Sequence, residues 1–191
     1  AFGAEIYETG DNDFKGSIQI VEDMLIANAG AGKAAIWCPK QFENQLNVVC
    51  HYETTAPEIF NQVAELGFVV SAFVHGAGTG GTMMGVKQYI DYNDLDVDTV
   101  LTTPSESAET HGIQGINDGA DFLLNRNLMD HVIAVRTDDA IQRMKDYAKD
   151  SGLLVGISSG ANLIAAQTYV DTFKPDGIVI TMLCDRGERY L

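Results

Sequence analysis

The sequence predicts an α/β fold, a mostly parallel, twisted sheet flanked by helices, and three observations carry that expectation. Short apolar runs rich in Val, Ile and Phe alternate with stretches of helical periodicity. Several of the runs are almost continuously apolar, as strands buried on both faces are. One of them, residues 68–74, opens onto Gly76-Ala77-Gly78-Thr79-Gly80-Gly81-Thr82, and a helical pattern starts at Met83. Strand, glycine turn and helix in that order aim main-chain N–H groups and a helix N-terminus at one point.

Taken in order, residues 4–7 predict a short strand and 8–13 a polar turn. Over 14–29, Ile18, Val21, Met24, Leu25 and Ala29 recur at helical spacing, and Gly30 and Gly32 stop that helix. Residues 34–38 predict a second strand closed by Pro39, and 40–53 a polar connection. Thr55-Ala56-Pro57-Glu58 reads as a capping box with proline in the first turn. Ile59, Phe60, Val63 and Leu66 form the buried face of the helix that follows, which Gly67 ends. Beyond the glycine turn, 83–92 predict a helix and 99–103 a strand. Residues 104–119 then form a loop whose length is typical of functional segments. It carries His111 and Gly112-Ile113-Gln114-Gly115-Ile116. Residues 131–135 predict a strand, and Thr137 is expected to cap a helix through Lys149 with Ile141, Met144 and Ala148 inward. A strand at 153–157 leads through Ser158-Ser159-Gly160-Ala161 into a helix to Phe173. A buried strand at 178–183 ends in Cys184-Asp185-Arg186-Gly187.

Composition narrows the function classes. The 191 residues are 46% hydrophobic, enough for one domain with a core, or one and a fraction. No apolar run is long enough to span a membrane. A formal net charge of -15 argues against nucleic acid as a partner, because a phosphate backbone selects positive surfaces. Cys38, Cys50 and Cys184 form no C-x-x-C pair, which points to a reducing, cytoplasmic setting. His51, His75, His111 and His131 show no metalloprotease spacing. Asp91, Asp94, Asp96 and Asp98 lack the glycine and terminal glutamate of a calcium loop, so no metal site is expected.

The 76–82 turn is the strongest chemical signal. Glycines let the main chain approach an anion closely, and Thr79 and Thr82 add hydroxyl donors. Gly76, Gly78 and Gly81 match the dinucleotide fingerprint formally, but the strand at 99–103 ends in Thr102-Thr103-Pro104 instead of an acid. No Gly-Lys-Ser/Thr follows, which excludes a Walker A loop. A compact monophosphate fits at least as well as a pyrophosphate. Ligands of such sheets gather beyond the strand carboxyl ends, where the 76–82 and 111–116 loops, Ser158 to Ala161 and Asp185 to Glu188 are expected to converge.

Six segments then stand in a specific order. They are Gln41-Phe42-Glu43-Asn44; His51-Tyr52-Glu53-Thr54-Thr55-Ala56-Pro57-Glu58-Ile59; Gly78-Thr79-Gly80-Gly81-Thr82; Ile113-Gln114-Gly115-Ile116; residues 152–161; and Gly187-Glu188-Arg189-Tyr190-Leu191. In that order they resemble the cysteine synthases (O-acetylserine sulfhydrylases), with the cystathionine β-synthases more distant, among the fold-type II enzymes that use pyridoxal 5′-phosphate. The resemblance covers essentially the whole chain.

It implies a division into the end of a small domain, residues 1–45, and an incomplete large cofactor-binding domain, residues 46–191. It implies that Gly78, Thr79, Gly80, Gly81 and Thr82 hold the cofactor phosphate, that Gly115 and its neighbours border the ring, and that Gln41 stands beside the substrate. Counting back from Gly187 places Asp185 at the pyridine nitrogen, with Arg186 as the alternative one residue on. The implied reaction is β-replacement on an activated serine, most simply O-acetylserine with sulfide to give cysteine. The alternatives are a cystathionine β-synthase, a β-elimination of the cysteine desulfhydrase type, or a non-catalytic phosphate- or cofactor-binding module. The family's covalent lysine and its Ser/Thr-Gly-Asn loop are expected ahead of Ala1. None of the seven lysines has a matching context, so no catalytic residue is assigned and the segment alone is expected to be inactive. A small amino-acid substrate, a homodimer and, as partner, serine acetyltransferase complete what the resemblance implies. Two departures stand out: Gln45 where a proline is usual, and Cys184-Asp185-Arg186 in place of a Pro-Ser-type sequence.

Overall fold

Four strands of the described residues form one all-parallel sheet in the order β3-β2-β1-β4. They are β1 (Val70–Gly76), β2 (Asp98–Pro104), β3 (His131–Val135) and β4 (Ile178–Thr181). The computed structural model describes residues 3–10, 13–29, 36–107, 110–116 and 121–190. The helices are α1 (Phe14–Asn28), α2 (Leu46–Cys50), α3 (Ala56–Glu65), α4 (Gly81–Tyr92), α5 (Thr137–Ser151) and α6 (Ile157–Phe173), with a π-helical turn at His51–Thr55. Two compact units divide between Lys40 and Gln41.

In the first unit α1 starts where Asp13 caps it, its carboxylate accepting from Gly16 N at 2.7 Å. The strand expected at 4–7 is absent: residues 3–10 are exposed and not paired with any described strand. Of the run expected at 34–38, residues 36–38 are irregular, and 34 and 35, like Gly30 and Gly32, lie outside the described residues.

In the second unit the pleat of β1 divides the core. Ala72 and Val74 join Val100, Val135, Ala140, Met144, Ala161 and Ala165 on the face covered by α5 and α6. Phe73 joins Leu101, Met83, Val86, Ile90 and Val48 on the face covered by α2, α3 and α4. Apolar side chains therefore line both faces, which is why these strands read as continuous apolar runs. Glycine brings the helices close. A Cβ on Gly160 would strike the Ala140 carbonyl of α5, and one on Gly85 would lie 2.5 Å from His51 Cβ.

Four sequence expectations change here. Residues 46–53 of the expected polar connection are instead helix, continuous through residue 55 with α3. Thr55 accordingly has helical φ −62° and ψ −46° and makes no cap; its Oγ1 bonds His51 Nδ1 at 2.9 Å. Thr137 is the first residue of α5, not its cap. Glu106 Oε1 accepts the Thr137 N–H at 2.8 Å, and Thr137 Oγ1 accepts from Gly112 N at 2.9 Å. The run at 153–157 is not a ladder strand. Val155 makes one antiparallel bridge to Arg186, and α6 begins at Ile157. Its main chain pairs with the 185–187 turn instead, Gly156 N donating to Asp185 O and Gly187 N to Leu154 O.

Candidate functional site

The carboxyl ends of β1 and β4, the 112–116 loop and the start of α6 meet as one surface. Gly76 N donates to Asn162 Oδ1 at 2.8 Å, and Asn162 Nδ2 donates to Met182 O at 3.1 Å, so one fully buried side chain on α6 clamps β1 to the chain leaving β4. Cys184 N donates to Ser159 Oγ at 3.0 Å. Side chains at Gly76, Gly78 and Gly115 would meet, respectively, Ile116, the Gly115 carbonyl at 2.8 Å and Ser158 Oγ at 3.8 Å. All four polar segments singled out in the sequence are thus brought together.

Within the 76–82 loop, Gly80 turns the chain with φ +91°, where a Cβ would lie 2.5 Å from Leu124 N. Of the N–H groups that open α4, that of Gly81 is taken by Thr79 Oγ1, while those of Thr82 and Met83 have no carbonyl a turn earlier, as at any helix start. Thr79 Oγ1 accepts from Gly81 N at 3.2 Å and from Asn47 Nδ2 at 3.0 Å. Both lone pairs are then occupied, and the hydroxyl proton is free to be donated outward. Thr82 has a different neighbour. Its Oγ1 shares a hydrogen bond of 3.2 Å with His51 Nε2, whose imidazole burial holds below its usual pKa. The loop thus offers a hydroxyl, a helix N-terminus and side-chain-free approach, a donor set suited to a compact phosphate monoester.

Of the other predicted residues, Gln41 lies in the turn before α2, where its carbonyl accepts from Asn47 Nδ2 at 2.9 Å. Gly115, at φ +89°, lies between Gly78 and Ser158. Asp185 caps no main-chain group with its carboxylate. Oδ2 accepts from the Tyr190 phenol at 2.5 Å, while Oδ1 packs on Gly156, buried and without a hydrogen-bond partner. Burial and this carboxylate push the Tyr190 phenol up to about 12.

Sequence reasoning missed Asn47, Asn162 and His75. His75 is buried at the end of β1, within 3.3 Å of Asn162 Nδ2, and burial, with His51 nearby, pushes it down to about 4. A buried neutral histidine beside an amide donor accepts through Nδ1 and carries its proton on Nε2. No periodicity marks these residues, because their partners lie far away in the chain.

Comparison with known proteins gives the family. A family described as pyridoxal-phosphate dependent enzyme matches residues 1–185. Cysteine synthase B of Campylobacter jejuni is 39% identical over 201 residues, covering 100% of this chain and 63% of that protein. The chain therefore spans less than two thirds of such curated relatives. Among solved structures, a hydrogen sulfide-producing enzyme from Fusobacterium nucleatum superposes with TM-score 0.87 at 32% identity, over 99% of this chain and 58% of that one. An O-acetylserine dependent cystathionine β-synthase from Helicobacter pylori does so with TM-score 0.84 at 30% identity, over 99% and 62%. With the family model spanning nearly the whole sequence and the parallel sheet shared with these enzymes, the chain belongs to the pyridoxal-phosphate dependent enzymes, in their fold-type II architecture.

Proposed function

We propose that this chain is the cofactor-binding part of an enzyme that performs β-replacement on an activated serine, with cysteine synthesis from O-acetylserine and sulfide as the specific reaction. One observation carries the reading: Thr79 is held with both lone pairs filled, at the mouth of a glycine turn and a helix N-terminus, so that its proton is offered to a phosphate. The names of its relatives, a cysteine synthase and an O-acetylserine dependent cystathionine β-synthase, support the choice of substrate class.

When bound, pyridoxal phosphate supplies the electron sink that permits loss of an α-proton and a β-leaving group. The chain's own residues bind and orient. Gly78, Gly80 and Gly81 admit the phosphate, Thr79 and the N–H groups of Thr82 and Met83 donate to it, Gly115 borders the ring, and Gln41 contacts the amino-acid substrate. The double variant Thr79→Val, Thr82→Val is expected to weaken pyridoxal phosphate binding by about 1–3 kcal/mol, the worth of hydrogen bonds to a charged group. Titration of the cofactor by absorbance or fluorescence checks this; unchanged affinity would remove the 76–82 loop from the site.

Asp185 favours a second reading, β-elimination. Its unpartnered Oδ1 lacks a donor, and a protonated ring nitrogen is one. Oδ1 packs against Gly156, so a ring nitrogen reaches it only when the carboxylate turns. A carboxylate there favours the protonated ring, a stronger electron sink. In the full enzyme Asp185→Ser is expected to change the bound cofactor's spectrum and shift products from elimination towards replacement. An identical spectrum and product ratio would show that Asp185 does not meet the ring.

A further inference from the structure

Asn47 touches no candidate ligand position directly, yet two observations make it decisive for one that does. Its Nδ2 donates to the Gln41 carbonyl at 2.9 Å and to Thr79 Oγ1 at 3.0 Å. A carbonyl only accepts, so the amine end of the side chain must face Gln41, and the same amine then faces Thr79. The amide cannot flip without setting Oδ1 against the Gln41 oxygen. Its other end lies close to the helix start: Asn47 Oδ1 fills the space a Cβ on Gly81 would take, so only glycine at 81 leaves the asparagine in this place. Thr79 is held from the main chain too, its carbonyl accepting from Leu123 N at 2.9 Å. With Gly81 N on the second lone pair, Oγ1 can only donate away from the helix, towards the mouth of the loop.

We propose that Asn47 is a positioning residue that sets the polarity of the Thr79 hydroxyl, making it an obligate donor to the bound phosphate. The inference rests on the phosphate reading of the 76–82 loop and extends it to a residue outside that loop. It has a directional consequence. An alanine at 47 frees one lone pair and lets the hydroxyl rotate. An aspartate, nearly the same shape, instead accepts the Thr79 proton and turns it away from the phosphate.

The test is a double-variant cycle on the full chain, reading the dissociation constant of pyridoxal 5′-phosphate by fluorescence titration, with inorganic phosphate as competitor. Thr79→Val is expected to weaken binding about tenfold, the loss of one hydrogen bond to a charged group, and Asn47→Ala about three- to tenfold. The pair Asn47→Ala, Thr79→Val is expected to be no weaker than Thr79→Val alone, since Asn47 acts through that hydroxyl. Asn47→Asp is expected to be weaker than Asn47→Ala by about threefold or more at 0.15 M salt, and most of that gap closes when Thr79 is Val. If the effects of Asn47→Ala and Thr79→Val multiply, or Asn47→Asp equals Asn47→Ala, Asn47 does not act through Thr79 and the proposal is wrong. If Thr79→Val alone leaves affinity unchanged, the phosphate reading itself fails, a result obtained without touching Asn47. Urea midpoints accompany each variant; should Asn47→Ala not fold, the near-isosteric Asn47→Asp, with and without Thr79→Val, decides alone.

Discussion

Single residues at the carboxyl end of the sheet are held by polar bonds that span long sequence separations. His75 shows the energetic consequence. Its imidazole is pushed from the ordinary 6.5 down to about 4 by burial, so the folded chain resists protonating it while the unfolded chain does not. The unfolded state then binds more protons between these values, and stability rises with pH across that window. The fold is expected to lose about 3 kcal/mol from this group as pH falls from about 6.5 to 4. His75→Gln keeps a polar side chain beside Asn162 without a titration there, so urea midpoints measured from pH 7 to 4 should fall less steeply than in the parent. An equal slope would mean that His75 titrates as in the unfolded chain. Asp185, by contrast, was legible as a residue of interest, yet its partner was not: that Tyr190 takes one oxygen follows from the turn at 187–190 folding back on the segment.

Elements are positioned by side chains at their ends more than by their own propensities. The 104–116 segment is fastened to α5 twice, by Glu106 on Thr137 N and by Thr137 Oγ1 on Gly112 N. The Thr137 N–H lowers the Glu106 carboxyl below its ordinary 4.5, and a carboxylate at a helix N-terminus is favoured in any case. A lowered carboxyl stabilises the fold above its unfolded pKa, and that stability is lost as pH falls from there through the folded value. Glu106→Gln is expected to cost up to about 1 kcal/mol at pH 7, a value limited by solvent screening of an exposed group, and to remove part of the acid loss below about pH 4.5. Because Gly115 rides on this segment, the same variant should raise the exchange rate of the Gly112 amide in hydrogen-exchange measurements. The helix formed by residues 46–65 makes the related point. Thr55 satisfies a capping pattern in sequence, but the preceding turn is already helical, so its hydroxyl serves His51.

At the scale of the whole molecule, the parallel sheet delivers the separated segments to one end, and ligand binding there should stabilise the fold as a unit. Pyridoxal phosphate at a hundred times its dissociation constant is expected to add about 2.7 kcal/mol, read as an upward shift of the thermal midpoint that is smaller in the double variant at Thr79 and Thr82 at the same concentration. Among the described residues no helix is long and apolar enough to cross a membrane. Sequence by itself determined the layered α/β class, the strand–glycine–helix unit, β3 to the residue, and the family, because buried strands, glycine turns and ordered motifs leave local marks. It erred at residues 4–7, 46–53 and 153–157, where local pattern favoured one state and available partners decided another. Only the tertiary structure decided what the loop's side chains bind. Asn47 reaches Thr79 across 32 positions and Asn162 reaches Gly76 across 86, separations at which no local periodicity survives and the partner is set by how the sheet brings its carboxyl ends together.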